Sequence, residues 1–182
     1  WSSDVCSSDL RSADVRRLDA GSWCAPGFAG QRVPQFEEFL AWIERHDHMG
    51  AALEIKAAGL GARIADAIVA SSARDRLAIY SFLPDEIRAA KTIRPEVPCV
   101  LLLRLDDNPA QVVHMIDACG ADGADVPWQW AAEDLIGEMR KQGKIVGGGS
   151  AEGAEAAAEL LRLGVDMIDT DDPARMIAAV AG

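Results

Sequence analysis

From Ala51 onward the chain alternates short apolar runs with amphipathic segments, and this rhythm constrains the fold more than any other feature. Strand-like runs recur at roughly 21–25 residues, enough for a strand, a crossover helix and two short loops. The pattern predicts strands over 51–56, 77–81, 98–103, 123–126, 144–147 and 165–170. Helices are predicted between them over 60–73, 84–93, 109–119, 131–142 and 151–163, with a last one from Pro173. Pro84 opens its helix at the first turn, and Asp172-Pro173 reads as a cap followed by a first helical residue. Most of these strands are apolar on both faces, which points to a parallel sheet covered by helices. Six βα units satisfy an open six-stranded sheet, or six of the eight units of a closed barrel. The expected fold class is α/β: a (β/α)8 TIM barrel of which about six βα units are present.

The first strand, Ala51-Ala52-Leu53-Glu54-Ile55-Lys56, differs from the others. Leu53 and Ile55 share one face while Glu54 and Lys56 share the other, about 6–7 Å apart along the strand. If the sheet is parallel, that polar face looks into a barrel or cleft. The pair then stands at the C-terminal end of its strand, where parallel α/β folds build active sites. The plainer alternative is a structural ion pair, but such a pair adds little net stability over an apolar replacement.

Upstream the pattern changes. Residues 1–10, WSSDVCSSDL, show no apolar period and no signal-peptide pattern. They match the translation of a common short-read sequencing adapter, so the expectation is a non-native segment, with 11–182 forming a partial barrel domain whose upstream units are missing. A helix is predicted over 12–18 with Ser12 as its cap, then a loop rich in Gly and Pro, then a helix over 35–45. The net charge of −11 argues against a nucleic-acid or anionic-membrane surface. It remains compatible with a phosphorylated substrate if a divalent cation mediates the contact. No apolar run approaches the ~20 residues that span a bilayer, so a soluble protein is expected, cytoplasmic ahead of periplasmic or secreted. Cys24, Cys99 and Cys119 are widely spaced and suggest neither a zinc site nor a disulfide framework.

Several motifs then fall in one order: Leu18-Asp19-Ala20-Gly21-Ser22-Trp23, Phe28-Ala29-Gly30-Gln31-Arg32-Val33-Pro34 and Leu53-Glu54-Ile55-Lys56. Tyr80-Ser81-Phe82, Leu163-Gly164-Val165-Asp166 and Thr170-Asp171-Asp172-Pro173 follow. Together they resemble the glycerophosphodiester phosphodiesterase family. The resemblance implies a TIM barrel that hydrolyses glycerophosphodiesters to sn-glycerol 3-phosphate and an alcohol with Mg2+ or Ca2+. It places Glu54 as a metal ligand, Lys56 near the substrate phosphate and Phe82 in the wall of the substrate pocket. The family's histidine–arginine–glycine strand, its paired acidic ligands and its second histidine have no counterpart in this sequence. No catalytic residue is therefore assigned, and the chain by itself is expected to be inactive. His46, His48 and His114 are no substitutes, being placed before the first strand or on a helix. A second departure is Gly149, Ser150 and Glu152, where the family has an aromatic, a threonine and an asparagine.

Other features compete for a role. Gly147-Gly148-Gly149-Ser150 at a strand-to-helix junction could cradle a phosphate on helix amides, as in a barrel isomerase or synthase acting on a phosphorylated metabolite. A non-catalytic barrel serving as a binding module is the remaining alternative. Asp169 and Asp171 share a strand face and could add carboxylates to a metal site, although helix capping accounts for part of that run. Trp128 and Trp130 suit a lid or a packed loop.

Overall fold

The structure, a computed structural model, describes residues 10–149 and 153–180. The adapter-derived reading therefore falls, apart from Leu10, outside the described residues, as do Ser150, Ala151 and Glu152. The chain divides after Asp47 into two compact units.

The first unit holds α1 (Ser12–Val15), a turn of 3-10 helix at Pro26–Phe28 and α2 (Phe36–Glu44). Arg11, not Ser12, occupies the cap position of α1. The helix stops short of the predicted span, and Asp19 then organises the following loop. Its carboxylate accepts from Gly21 N–H at 2.9 Å, Ser22 N–H at 2.8 Å, Gly30 N–H at 2.8 Å and the Ser22 hydroxyl at 2.7 Å. The Ser22 hydroxyl first, then these amides, hold the carboxyl well below the usual carboxylate range. Gly21 is required here, because a Cβ would lie 1.9 Å from the Phe28 carbonyl oxygen. Gln35 and Glu38 form a reciprocal capping box at the start of α2.

The second unit carries six strands: β1 (Ala51–Glu54), β2 (Leu77–Ser81), β3 (Cys99–Leu102), β4 (Gly123–Pro127), β5 (Ile145–Gly149) and β6 (Met167–Ile168). They form one parallel sheet in sequence order. The crossover helices are α3 (Gly61–Ala70), α4 (Pro84–Ile93), α5 (Val112–Cys119), α6 (Glu133–Lys141) and α7 (Gly153–Leu163), with α8 (Pro173–Val180) last. Element types follow the sequence pattern, and the differences lie at the ends. Residues 109–111 tighten into 3-10 helix ahead of α5, and Trp128–Trp130 forms another such turn. The predicted cap Asp172 accepts the Arg175 N–H at 3.0 Å.

Alternation sorts the side chains. Leu77, Ile79, Leu101 and Val146 are buried on the helix side with Ile68, Ile87, Ile116, Ile136 and Met139. Ala52, Glu54, Tyr80, Leu102 and Asp125 point the other way, lining a common cavity. That second face is strongly concave. The Tyr80 hydroxyl on β2 donates to Met167 Sδ on β6 at 2.9 Å, whereas four strand intervals in a flat sheet span about 19 Å. The unit is a partial TIM barrel, not an open flat sheet. Among the described residues no helix is long and apolar enough to cross a membrane.

The loop that follows β1 is held from the neighbouring βα unit. Glu86 on α4, only 5% exposed, accepts the N–H groups of Gly59, Leu60 and Gly61 at 2.7, 2.8 and 2.6 Å. These are donors at the start of α3 with no partner inside that helix, and a carboxylate there also meets the favourable end of its dipole. The hydrogen bonds, Gly59's first, lower the Glu86 pKa against the opposing effect of burial. The stability they give is therefore present above the unfolded carboxyl pKa and is lost as pH falls through the folded value. Glu86→Ala is expected to cost about 3 kcal/mol in urea unfolding, because buried N–H groups lose their acceptor. Glu86→Gln, which keeps one acceptor oxygen, is expected to cost less.

Candidate active site

At the C-terminal ends of β1 to β6 the concave face opens into a cavity of about 380 Å³. Glu54 lines it from the last position of β1. Ile55 and Lys56 lie just past the strand, so the predicted strand is two residues shorter than expected, yet the pair keeps its common side: Lys56 Nζ stands 3.2 Å from Glu54 Oε2. The lysine side chain is 77% exposed and that of the glutamate 33%. This is a solvated pair at the mouth, not one buried under the helices. At that exposure it contributes little to stability, and the ammonium remains accessible to an anion.

Phe82, predicted as a pocket wall, lines the cavity, and the Arg104 guanidinium lies 4.6 Å from its ring centroid. Sequence reading did not single out Arg104, because a lone exposed arginine after a strand carries no pattern. His114 is exposed on α5, and His46 stacks on Trp42 within the first unit. Trp128 is half-exposed in its 3-10 turn and does not line the cavity. Cys99 and Cys119 are buried, and burial pushes both thiols up, Cys99 to about 12. Neither is a nucleophile at neutral pH.

The glycine run corrects one expectation. Gly147, Gly148 and Gly149 are not a strand-to-helix turn but belong to β5, in register with Asp125, Val126 and Pro127. Their backbone is engaged in the sheet, and the described part of α7 runs from Gly153 to Leu163. The phosphate-cradle reading also included Ser150, which lies outside the described residues. The small size of the glycines serves packing. A Cβ on Gly148 would meet the Leu160 side chain of α7 at 2.8 Å, while one on Gly147 or Gly149 would lie 3.0 or 2.8 Å from Asp125 Oδ1.

Asp125 was not singled out in the sequence. It sits mid-strand on the cavity side of β4, is 6% exposed, and its Oδ1 has no hydrogen-bond partner among the described residues. Asp169, just past β6, also lines the cavity and interacts with it directly. Burial first, then the Asp169 carboxyl, hold the Asp125 pKa well above the carboxylate range. Two ionised carboxylates leave Oδ1 without a partner, and one shared proton turns the contact into a hydrogen bond. Burial, then the charges of Asp169 and Asp125, also push the Tyr80 phenol upward. The one available sequence signal was a mid-strand aspartate two residues from each of Gly123 and Pro127, opposite a run of three glycines.

A divalent cation needs several oxygen donors. Glu54 is a suitable one, but among the described residues no group of three or more His, Cys, Asp or Glu side chains is placed to hold a metal ion. The described residues do not by themselves form a complete coordination shell.

The sequence profile of the glycerophosphoryl diester phosphodiesterase family matches residues 1–175. The chain belongs to this family. A Caldanaerobacter subterraneus glycerophosphodiester phosphodiesterase is 25% identical over 177 residues, covering 94% of this chain and 72% of its own. Among solved structures, an Oleispira antarctica phosphodiesterase in complex with sn-glycerol 3-phosphate is similar at TM-score 0.81 and 21% identity, over 96% of this chain and 72% of that one. A glycerophosphodiester phosphodiesterase from Agrobacterium tumefaciens is similar at TM-score 0.74 and 22% identity, over 93% and 71%. The family is one of phosphoric diester hydrolases, and the barrel fold expected from the motifs is the fold of these relatives.

Because its folded pKa is raised, Asp125 contributes stability that is complete below the unfolded carboxyl value near 3.9 and is lost as pH rises through the folded value. Thermal unfolding across pH checks this. The difference in Tm between wild type and Asp125→Asn should move in favour of the variant as pH is raised. Parallel curves would contradict the assignment.

Proposed function

We propose that this chain carries the substrate-side portion of a glycerophosphodiester phosphodiesterase site, the reaction releasing sn-glycerol 3-phosphate and an alcohol. The observation that carries this reading is the Glu54–Lys56 pair, 3.2 Å apart at the mouth of a cavity at the strand C-terminal ends. Lys56 is assigned to the phosphate. Its ammonium balances charge on a non-bridging oxygen, and that balance counts for more as charge builds toward the transition state. Glu54, 3.2 Å from the lysine and itself lining the cavity, is assigned as one carboxylate ligand of a divalent cation, Mg2+ or Ca2+. Such a cation would polarise the phosphoryl oxygens. Phe82 is assigned to the apolar wall against the glycerol or alcohol.

General acid–base groups are the missing element. Proton transfer to the departing alkoxide contributes typically 10²–10⁴-fold, and the histidine–arginine–glycine strand that supplies it in the family is absent from this sequence. Residues 11–182 are assigned as a partial barrel domain preceded by a non-native segment.

Two measurements test this on the chain as it exists. Incubation with glycerophosphocholine is expected to release no product above background, and measurable hydrolysis would overturn the inactive assignment. Calorimetric titration with sn-glycerol 3-phosphate is expected to show binding that Lys56→Ala weakens about tenfold, or about 1.4 kcal/mol. Equal affinity in the two proteins would remove Lys56 from the phosphate site.

A further inference from the structure

Among the crossover helices α3 and α4 pack closely along their length, whereas α5 and α6 stand apart. A cleft of about 650 Å³ lies between them, within the range of about 300–1,000 Å³ typical of small-molecule sites. Its lining is mainly apolar, with Pro109, Ala110 and Val113 on the α5 side and Trp130 and Leu135 on the α6 side. Asp134 and Glu138 add two exposed carboxylates, one turn apart on the same face of α6, a spacing at which like charges repel. Among the described residues no lysine, arginine or histidine lines the cleft. Lys141 comes to 4.0 Å of Glu138 without joining the lining, and Gln142 donates to Glu138 at 2.8 Å. Asp134 lies in the first turn of α6, where the helix dipole favours its charge but does not neutralise it.

Apolar walls with a negative rim complement a small molecule that has an apolar body and a positive charge. A second copy would bring the same two carboxylates on a chain of net charge −11, and an anionic lipid surface would be repelled. The cleft also shares a wall with the candidate active site. Gln129, the middle residue of the 3-10 turn Trp128–Trp130, lines both the cleft and the cavity at the strand ends. Pro127 before it lines the strand-end cavity and Trp130 after it lines the cleft, so this turn is the partition between the two.

We propose that the α5–α6 cleft binds an organic cation with an apolar body, of the arylalkyl amine class, and that its occupant acts on the strand-end cavity through the Trp128–Trp130 turn. The proposal goes beyond the phosphodiesterase reading and does not rest on it. The apolar body packs against Val113, Trp130 and Leu135, whose burial supplies most of the affinity. The ammonium stands between Asp134 and Glu138 and relieves their repulsion.

The test is protein-observed NMR on the full chain, titrated with 2-phenylethylamine. The amide signals of Val113 and Leu135 are expected to shift saturably at millimolar concentration, the range for so small a ligand. Gln129, and Leu103 in the strand-end cavity, should shift with the same midpoint. 2-Phenylethanol, which keeps the ring without the charge, and methylammonium, which keeps the charge without the ring, should each bind at least tenfold more weakly. Asp134→Asn/Glu138→Gln should weaken the amine about tenfold and leave 2-phenylethanol unchanged. Ala110→Trp, which adds bulk to the cleft from an exposed position, should abolish binding of both. Circular dichroism identifies any variant that fails to fold, and the comparison of the three ligands on the wild type needs no variant. No saturable shift, equal binding of methylammonium, or undiminished binding by Asp134→Asn/Glu138→Gln would overturn the site. Shifts at Val113 and Leu135 that leave Gln129 and Leu103 unmoved would overturn the action through the turn. A dimer in sedimentation velocity that Ala110→Trp dissociates would give the cleft to a second copy and overturn the small-molecule assignment.

Discussion

The hydrogen bond from Tyr80 to Met167 crosses the concave side of the sheet, between strands separated by 87 residues and three intervening strands. Its physical basis is the twist and coiling of a parallel sheet whose outer face is loaded with helices. Burying Ile79, Leu101 and Val146 under α3–α7 bends the strands toward the other side. The curl sets what the inner face can hold. Where β4, β5 and β6 converge, the inward positions of β5 are glycines, and the space they leave is taken by the Asp125 carboxyl.

That geometry brings separate stretches of the chain into one cavity. Glu54 ends β1, Phe82 follows β2, Asp125 lies in β4, Gly149 ends β5 and Asp169 follows β6. All but Asp125, which lies mid-strand and deeper, stand at or just past the C-terminal end of their strand, because crossovers in a βαβ unit are right-handed and leave those ends on one rim. Glu86 shows how the rim is kept in shape. One buried carboxylate collects three amides of the loop after Lys56, linking the first βα unit to the second.

Much of this was legible in the sequence. The period of the strands, the proline and aspartate caps, and the two-residue spacing of Glu54 and Lys56 are local properties, and local physics determines them. Leu77–Ser81 and Pro84–Ile93 follow the predicted bounds for that reason. Gly147-Gly148-Gly149 was harder, since glycine punctuates turns as readily as it marks close packing inside a strand. What settles the matter is non-local: Leu160 presses on one face of the run and Asp125 on the other. Asp125 itself carries no sequence period that distinguishes it from a surface acid. Its burial follows from β3 and β5 on either side and from the curl that brings Asp169 against it.

The claim on which the site depends is that the sheet is curled enough to close β2 onto β6. Nuclear Overhauser spectroscopy on the chain reads this directly, through cross-relaxation between the Tyr80 ring protons and the Met167 methyl group. A clear cross-peak is expected, given a hydroxyl-to-sulfur distance of 2.9 Å. Its absence, in a protein whose β2–β3 and β3–β4 cross-strand contacts are all present, would mean a flat sheet with those residues about 19 Å apart, and the cavity would not exist.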